Sequence, residues 1–144
     1  MFRVGPERID AQDLAGAVAR PDAGGIAVFL GVVRNHNLGR HVDHLVYDAY
    51  PELAERQMRA IAEEMRARWP IAEIAMRHRT GRLEIGEASV GIAVSAAHRR
   101  EAIEACHHAI YRLKETAPIW KKEVWVGGEQ WVYGHPAPQP EAST

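Results

Sequence analysis

The sequence predicts an α+β protein of one domain, in which two long helices pack on a largely antiparallel sheet. The first observation is the length of 144 residues, which suits a single hydrophobic core. The second is the order of the predicted elements, because strands often follow one another directly instead of alternating with helices. The third is the pair Gly127-Gly128 between two short apolar segments, since glycine tolerates the positive φ that a tight hairpin turn needs.

The first fifty residues are predicted to form a short helix and two strands. Asp10 stands where it can cap a helix of residues 11–19, which ends before a proline. Residues 26–33, IAVFLGVV, are apolar on both faces, which is typical of a central strand. A polar loop over residues 35–43 then leads to a strand over residues 44–50.

Two long amphipathic helices are predicted from apolar residues that recur every three or four positions. The first begins at Pro51, a favoured residue for a first turn, and ends before Pro70. The second runs from about His98 to Glu115. The predicted buried faces comprise Ala54, Met58, Ile61, Met65 and Trp69 in the first helix, and Ala102, Ile103, Cys106, Ala109, Ile110 and Leu113 in the second.

Two strands between these helices are predicted from alternating side chains. Over residues 74–79, Ile74, Met76 and His78 share one face. Over residues 89–95, one face carries bulky side chains and the other carries small ones. A helix can therefore lie close against the small face of the second strand.

The composition excludes several classes of function. The formal net charge is −1, so bulk charge predicts no attraction to nucleic acid or to an anionic membrane. No apolar segment approaches the roughly 20 residues that a membrane helix needs. Because the chain has one cysteine, no intramolecular disulfide is possible, and a reducing cytoplasm is the expected compartment. Residues 1–133 are predicted to form the domain, and the proline-rich residues 134–144 a flexible tail.

Neither the cysteine nor the histidines indicate a reactive centre. Cys106 lies within the apolar stripe of the second long helix, which predicts a buried, protonated and inert thiol. The chain has eight histidines, but their spacing matches no zinc site. His107 and His108 are adjacent on a helix and therefore point in different directions. We therefore expect no metal.

The basic residues offer the best candidates for chemistry. Local basic clusters at residues 34–41, 98–100 and 114–122 of a near-neutral chain favour a small anionic ligand, although each can also be a solvated surface. Lys114 ends a helix, and Lys121 follows a tryptophan. A lysine beside an aromatic wall and near other cations can have a lowered pKa, which makes it a usable nucleophile or general base. In the alternative interpretation, Lys114 is only a favourable charge at a helix C-terminus, and Lys121 and Lys122 are solvated residues at the start of a strand. Spacing alone leaves both interpretations open.

Four segments together resemble the large, catalytic subunit of molybdopterin synthase, the MoaE family. They are GVVRNHNLGR (31–40), YDAYPELAERQM (47–58), HRTGRLEIGEASVGIAVSAAHRREAIEAC (78–106) and LKETAPIWKKE (113–123). They occur in the family's order with compatible separations, and the resemblance covers about residues 24–133. It implies a fold of the α/β-hammerhead type.

The resemblance implies a sulfurtransferase of molybdenum cofactor biosynthesis. That family converts cyclic pyranopterin monophosphate into molybdopterin by installing two dithiolene sulfurs. The sulfur arrives as a thiocarboxylate on the C-terminal Gly-Gly of a small ubiquitin-like subunit, and two large subunits form the homodimeric core of a heterotetramer. The resemblance implies no metal and no bound cofactor, and it agrees with an inert Cys106 because the enzyme needs no sulfur residue of its own.

The resemblance also implies the site residues. Lys114 and Lys121 match the family's catalytic pair, with Lys114 as the acid/base or acyl-contact residue and Lys121 stabilising negative charge. The implied substrate-binding residues are Arg34, His98, Arg99, Lys122, Glu123 and Phe29. The chain departs from the family at His135, where related chains carry an arginine, so a substrate role of the tail does not follow.

Helix geometry adds a constraint on this site. His98 and Lys114 bracket one helix, so their ends lie about 24 Å apart and their side chains point about 160° apart. One small substrate does not easily reach both ends of a straight helix. Either the helix is broken, or the site combines Lys114, Lys121 and Arg34 of one subunit with His98 and Arg99 of another. The second alternative is favoured, and it predicts a homodimer with composite sites. Two alternative functions remain. The chain could be a non-catalytic docking module for a ubiquitin-like tail, or a nucleic-acid-binding domain, which the near-zero net charge disfavours.

Overall fold

The structure, a computed structural model, describes residues 1–133 of the chain. The predicted tail of residues 134–144, with His135, lies outside the described residues. The elements are β1 (Phe2–Gly5), α1 (Ala11–Val18), β2 (Gly25–Val32), β3 (His36–Asn37), β4 (Arg40–His41), β5 (His44–Ala49), α2 (Pro51–Arg68), β6 (Ile71–Arg79), β7 (Gly81–Glu84), β8 (Ala88–Ala96), α3 (Arg99–Thr116), β9 (Ile119–Trp125) and β10 (Gly128–Tyr133).

The described strands form two four-stranded sheets and one small hairpin. The first sheet has the order β1-β6-β8-β2, the second has the order β10-β9-β5-β7, and β3 pairs with β4. Every pairing is antiparallel except that of β1 with β6. The predicted α+β class with a largely antiparallel arrangement is confirmed. Within residues 1–133, no helix is long and apolar enough to cross a membrane.

The first sheet carries helices on both of its faces. On one face, α3 packs against β8 and β2, and α2 packs against α3, β1 and β6. Met58 and Met65 of α2 belong to the same core cluster as Ile92 of β8. On the other face, Leu14 of α1 packs against Ala93. The small face of β8 therefore receives a helix, as its side chains predict.

The close approach of α1 depends on Gly91, which yields a prediction about stability. A Cβ at Gly91 would lie 2.5 Å from Leu14 Cδ1 and 2.8 Å from Ile9 Cγ2. Gly91→Ala is expected to lower the free energy of unfolding by roughly 1–3 kcal/mol because it overpacks this layer. Gly16→Ala is the matched control, because no atom lies within 4 Å of its Cβ. In urea denaturation Gly16→Ala should raise that free energy by roughly 0.5–1 kcal/mol, and an undiminished stability of Gly91→Ala would contradict the packing.

The prediction of a central strand over residues 26–33 is wrong. The corresponding strand, β2, lies at the edge of the first sheet and pairs only with β8. The side chains of β2 are apolar because α1 packs on one of its faces and α3 on the other. A hydrophobic pattern predicts which faces of a strand are covered, but it does not predict how many strands pair with it. Ile26 and Val32 remain 44% and 51% exposed, so β2 presents an apolar edge.

Three local predictions also need correction. Ile103 is 59% exposed, and Ala105 is buried in its place, because the stripe of α3 turns toward α2. Residues 35–43 contain the β3–β4 hairpin rather than a plain loop, and its turn at Leu38 and Gly39 has positive φ at both residues. Trp69 is the C-cap residue of α2 and lies just beyond the helix.

Candidate functional site

A cavity of about 220 Å³ opens where the first sheet meets the second. The ends of β2 and β8 form one wall, β5 and β9 form the other, and the last turn of α3 adjoins both. Five of the eight residues predicted for the site line this cavity: Phe29, Arg34, Lys114, Lys121 and Glu123.

The two lysines reach the cavity from neighbouring elements. Lys114 is in the last turn of α3, and the chain leaves the helix through Ala117 and Pro118. Lys121 lies on β9, which pairs with β5 so that Lys121 stands opposite Tyr47. Residues two apart on a strand share a face, so Lys121 and Glu123 both point into the cavity.

A buried carboxylate connects the cationic groups of the cavity. Glu123 is only 1% exposed, and its Oε2 accepts a hydrogen bond of 2.6 Å from Nδ2 of Asn37. The same oxygen lies 3.8 Å from Lys121 Nζ, and Oε1 lies 4.0 Å from Nη2 of Arg40. Arg34 donates from Nη2 to Oδ1 of Asn37 over 3.4 Å. The network thus joins both sides of the cavity through one amide.

The pKa of Lys121 is lowered from its ordinary value. Burial is the main cause, because a charged ammonium is costly to remove from water. The nearby charges of Lys114 and Arg34 lower this pKa further, while Glu123 opposes the shift. Lys121 is thereby brought closer to the range in which an amine exchanges protons near neutral pH.

Two further polar residues lie at the base of the cavity and were not predicted. Tyr47 lines the cavity, and burial raises the pKa of its hydroxyl. His78 is buried with its ring centroid 4.9 Å from that of Tyr47, and burial lowers the pKa of its imidazole to about 4. His78 is therefore neutral near pH 7. Its place on the same strand face as Ile74 and Met76 was a signal that this histidine is buried.

Three predicted residues do not reach the cavity. His98 is the N-cap of α3 and Arg99 its first residue, and both are exposed. Because α3 runs unbroken for 18 residues, they lie about 27 Å along the helix from its other end. Lys122 points to the opposite face of β9, where its Nζ lies 3.5 Å from Glu129 and 5.5 Å from the ring centroid of Trp131.

The predicted burial of Cys106 is confirmed. The thiol is 6% exposed, and burial raises its pKa to about 11. At neutral pH it is protonated, so it is neither a nucleophile nor a sulfur carrier.

The distribution of lysine in the chain also points to this site. The chain has 18 lysine and arginine residues, and only three of them are lysines: Lys114, Lys121 and Lys122. Arginine stays charged at any ordinary pH, whereas lysine can lose its proton when buried. Two of the three, Lys114 and Lys121, line the cavity, and the scarcity of lysine was a signal available from the sequence.

The fold and the cavity define a class of protein, an α+β domain in which two lysines and an arginine line one cavity. Residues 4–116 match the family described as MoaE protein. The molybdopterin synthase catalytic subunit of Halalkalibacterium halodurans is 45% identical over 131 residues, which cover 91% of this chain and 84% of that protein. The chain belongs to the MoaE family.

Solved structures agree with this assignment. Molybdopterin synthase from Staphylococcus aureus matches with a TM-score of 0.88 and 37% identity, over 93% of this chain and 97% of that chain. A chain from the complex of subunits 1 and 2 of the molybdopterin-converting factor of Helicobacter pylori matches with a TM-score of 0.72 and 22% identity, over 88% and 86% of the two chains. The second match shows a shared fold.

Proposed function

We propose that the cavity transfers sulfur from a thiocarboxylated small subunit to cyclic pyranopterin monophosphate, as the catalytic subunit of a molybdopterin synthase. The observation that carries this proposal is the meeting of Lys114, Lys121 and Arg34 at one cavity. A nearby buried thiol that stays protonated supports it as well, because the sulfur must then arrive on a partner.

The cavity offers groups suited to each part of the substrate. Arg34 presents a planar fork that binds phosphate through two parallel hydrogen bonds. Phe29, which is 37% exposed, supplies an apolar surface against which a pterin ring can stack. Glu123 is the carboxylate of the cavity, and its interactions orient the lysine beside it.

The two lysines are assigned different roles. The thiocarboxylate sulfur bonds to a carbon of the substrate while a carbon–oxygen bond of that carbon breaks, and the oxygen leaves on the opened phosphate ester or as water. Water then cleaves the acyl–sulfur bond, which leaves sulfur on the pterin and a carboxylate on the small subunit. Lys121 is the lysine whose surroundings lower its pKa, so we assign the proton transfers to Lys121. Lys114, which is exposed at the end of α3, stabilises the negative charge and contacts the acyl group. These roles reverse those predicted from the sequence.

The partner is a small ubiquitin-like subunit whose C-terminal Gly-Gly enters the cavity. The Helicobacter pylori protein of the same fold is found in a complex of two different subunits, which supports a partner of this kind. The exposed position of Lys114 suits contact with an incoming peptide terminus. The cytoplasm is the compartment that suits a reduced thiol and this chemistry.

Two copies of the chain are proposed to form the core of the assembly through β2. This strand leaves one edge unpaired, and Ile26, Val28 and Val32 are exposed along it. An exposed apolar edge strand is a ready template for pairing with a second chain. An antiparallel pairing of β2 with its copy about a two-fold axis joins the two first sheets.

The same pairing completes each site with residues of the partner. Gly25, at the start of β2, adjoins Arg99, whereas Val32, at its end, lines the cavity. The eight residues of β2 span about 26 Å, close to the length of α3. Antiparallel pairing therefore brings His98 and Arg99 of one copy toward the cavity of the other, where Arg99 adds positive charge for the phosphate and His98 a further polar group.

A reconstituted assay tests the proposed function. The full chain, mixed with a thiocarboxylated small subunit and cyclic pyranopterin monophosphate, is expected to form the dithiolene of molybdopterin. The same mixture with an unmodified C-terminal carboxylate on the small subunit is the control and should form none. If the chain binds the small subunit but no sulfur reaches the pterin, the chain is a docking module for the tail and the catalytic proposal is wrong.

A further inference from the structure

Asn37 is a buried polar residue at the cavity for which neither the motif nor the lysine chemistry provides a role. It is 5% exposed and lies on β3, one residue before the turn in which Leu38 and Gly39 have positive φ. Both polar groups of its side-chain amide form hydrogen bonds. Nδ2 donates to Glu123, and Oδ1 accepts from Arg34.

The orientation of this amide is set by its two neighbours. A carboxylate accepts hydrogen bonds only, and a guanidinium donates only. Asn37 must therefore turn its NH₂ toward Glu123 and its oxygen toward Arg34. The hydrogen bond to Glu123 is short, at 2.6 Å, as expected for a charged acceptor in a buried place.

Glu123 has few other partners. Among the described residues, its Oε1 has no hydrogen-bond partner, and the nearest cation to that atom is Arg40, at 4.0 Å. The distance of 3.8 Å from Oε2 to Lys121 Nζ is longer than a hydrogen bond. A buried carboxylate oxygen without a hydrogen-bond donor costs free energy, so Glu123 can be expected to accept a further donor that comes within reach.

We infer that Asn37 is a positioning residue of the reaction, whose amide holds the Glu123 carboxylate beyond hydrogen-bond distance of the Lys121 amine and so limits the pairing that would keep this amine protonated. The inference rests on the proposed function in assigning proton transfer to Lys121. The restraint itself is a matter of geometry: Oε2 of Glu123 accepts the amide hydrogen bond at 2.6 Å, whereas Lys121 Nζ lies 3.8 Å from the same oxygen.

Without Asn37, Glu123 would turn to Lys121 rather than to Arg40. Arg40 is already engaged, since its guanidinium lies 4.0 Å from the ring centroid of Trp125 and donates to Gln130 over 3.1 Å. Lys121 has no such restraint, and its flexible stem can close the remaining distance. A full ion pair with Glu123 would hold Lys121 in its charged form.

The other groups around Lys121 do not oppose this change. The titratable or charged side chains near it are Glu123 of its own strand, Lys114 of α3, Arg34 after β2, His36 of β3 and Tyr47 of β5. Lys114 and Arg34 lower the pKa of Lys121. Tyr47 is neutral near pH 7, and burial raises the pKa of its hydroxyl further. Asn37 contacts both Glu123 and Arg34, so a Glu123→Gln background is needed to show that the effect on Lys121 passes through Glu123.

The test measures the pKa of Lys121 directly, by NMR of the full chain labelled with ¹³C-lysine. Three lysines give three signals, which Lys114→Arg and Lys122→Arg assign. Asn37→Ala is expected to raise the pKa of Lys121 by about one unit or more. In the sulfur-transfer assay, it should lower kcat near pH 7 by about tenfold and move the acidic limb of the pH profile upward.

Two further variants separate positioning from a loss of structure. Asn35→Ala is the matched control, because Asn35 belongs to the same hairpin and is exposed, and it should leave the pKa of Lys121 unchanged. If Asn37 acts through Glu123, then Asn37→Ala should have no effect on that pKa in a Glu123→Gln background. Asn37→Leu keeps the approximate volume without the donor and without a new charge, and it should also raise the pKa of Lys121, which preserves the test if the alanine variant does not fold.

An unchanged or lower pKa of Lys121 in both Asn37→Ala and Asn37→Leu would overturn the inference, as would an equal rise in the Glu123→Gln background. The NMR result does not depend on sulfur transfer. If the chain shows the expected shift but no turnover, the positioning stands and the proposed reaction fails. If turnover occurs and no shift is seen, the reaction stands and the role of Asn37 fails.

Discussion

Replacing Lys121 or Lys114 by alanine is expected to lower kcat for sulfur transfer by about 100-fold or more, because a positioned acid or base contributes about 10²–10⁴-fold. Both side chains meet at the cavity, and no other lysine of the chain reaches it. The change should appear in single-turnover reactions with a thiocarboxylated small subunit. Affinity for that subunit should change far less, since one lysine is a small part of a protein interface.

Lys122 provides the matched comparison for this prediction. It is the neighbour of Lys121 in sequence, but its side chain lies on the opposite face of β9, beside Glu129 and Trp131. Lys122→Ala should therefore lower kcat for sulfur transfer much less than Lys121→Ala does. Near-wild-type rates in either Lys114→Ala or Lys121→Ala, with the fold intact by circular dichroism, would contradict the assignment of the cavity.

Arginine substitutions separate the two lysine roles. Arginine keeps the positive charge but does not release its proton in the accessible pH range. Lys121→Arg should therefore be as inactive as Lys121→Ala, whereas Lys114→Arg should retain a measurable part of the activity. The opposite result would return the proton transfers to Lys114, the role predicted for it from the sequence.

Local signals in the sequence predicted most of the helices and the last hairpin. Asp10 caps α1 through Gln12 N, Pro51 starts α2, and Gly127 adopts φ of +94° in the turn between β9 and β10. These features depend on neighbouring residues, so a pattern of a few positions is enough. The strands β1 and β7 were missed because each has only four residues, too few for alternation to predict a strand, and they form only by pairing with β6 and β5.

Contacts between distant residues account for what could not be predicted of the site. The motif pointed to Lys114, Lys121 and Arg34, and the cavity brings these three together. Asn37 and Glu123 are 86 positions apart in the sequence, and only the folded chain shows that the buried amide of Asn37 donates to the Glu123 carboxylate. Likewise, the placement of β2 at the edge of a sheet depends on which strands pair. A one-dimensional pattern of side chains does not record that pairing.

Mixing two inactive variants, Lys114→Ala and Arg99→Ala, is expected to restore activity through hybrid dimers. α3 separates Arg99 from Lys114 by nearly its whole length, so one subunit does not bring both to a single small substrate. In a hybrid dimer one site carries both substitutions and the other carries neither. After full exchange of subunits in an equal mixture, about a quarter of the wild-type activity should return, because half of the dimers are hybrids with one intact site each.

A second mixture shows whether the restored activity arises in composite sites. Lys114 and Lys121 line the same cavity, so a hybrid of Lys114→Ala with Lys121→Ala contains no intact site and should stay inactive. Val28→Glu in both chains of the first mixture should also abolish the restoration, because it sets carboxylates against each other along the paired β2 edges. Subunit exchange is followed by mass spectrometry with two differently tagged chains. Exchange without restoration in the first mixture would mean that each subunit holds a complete site or that His98 and Arg99 act elsewhere. Restoration in the second mixture would mean that Lys114 and Lys121 of one cavity do not serve the same site.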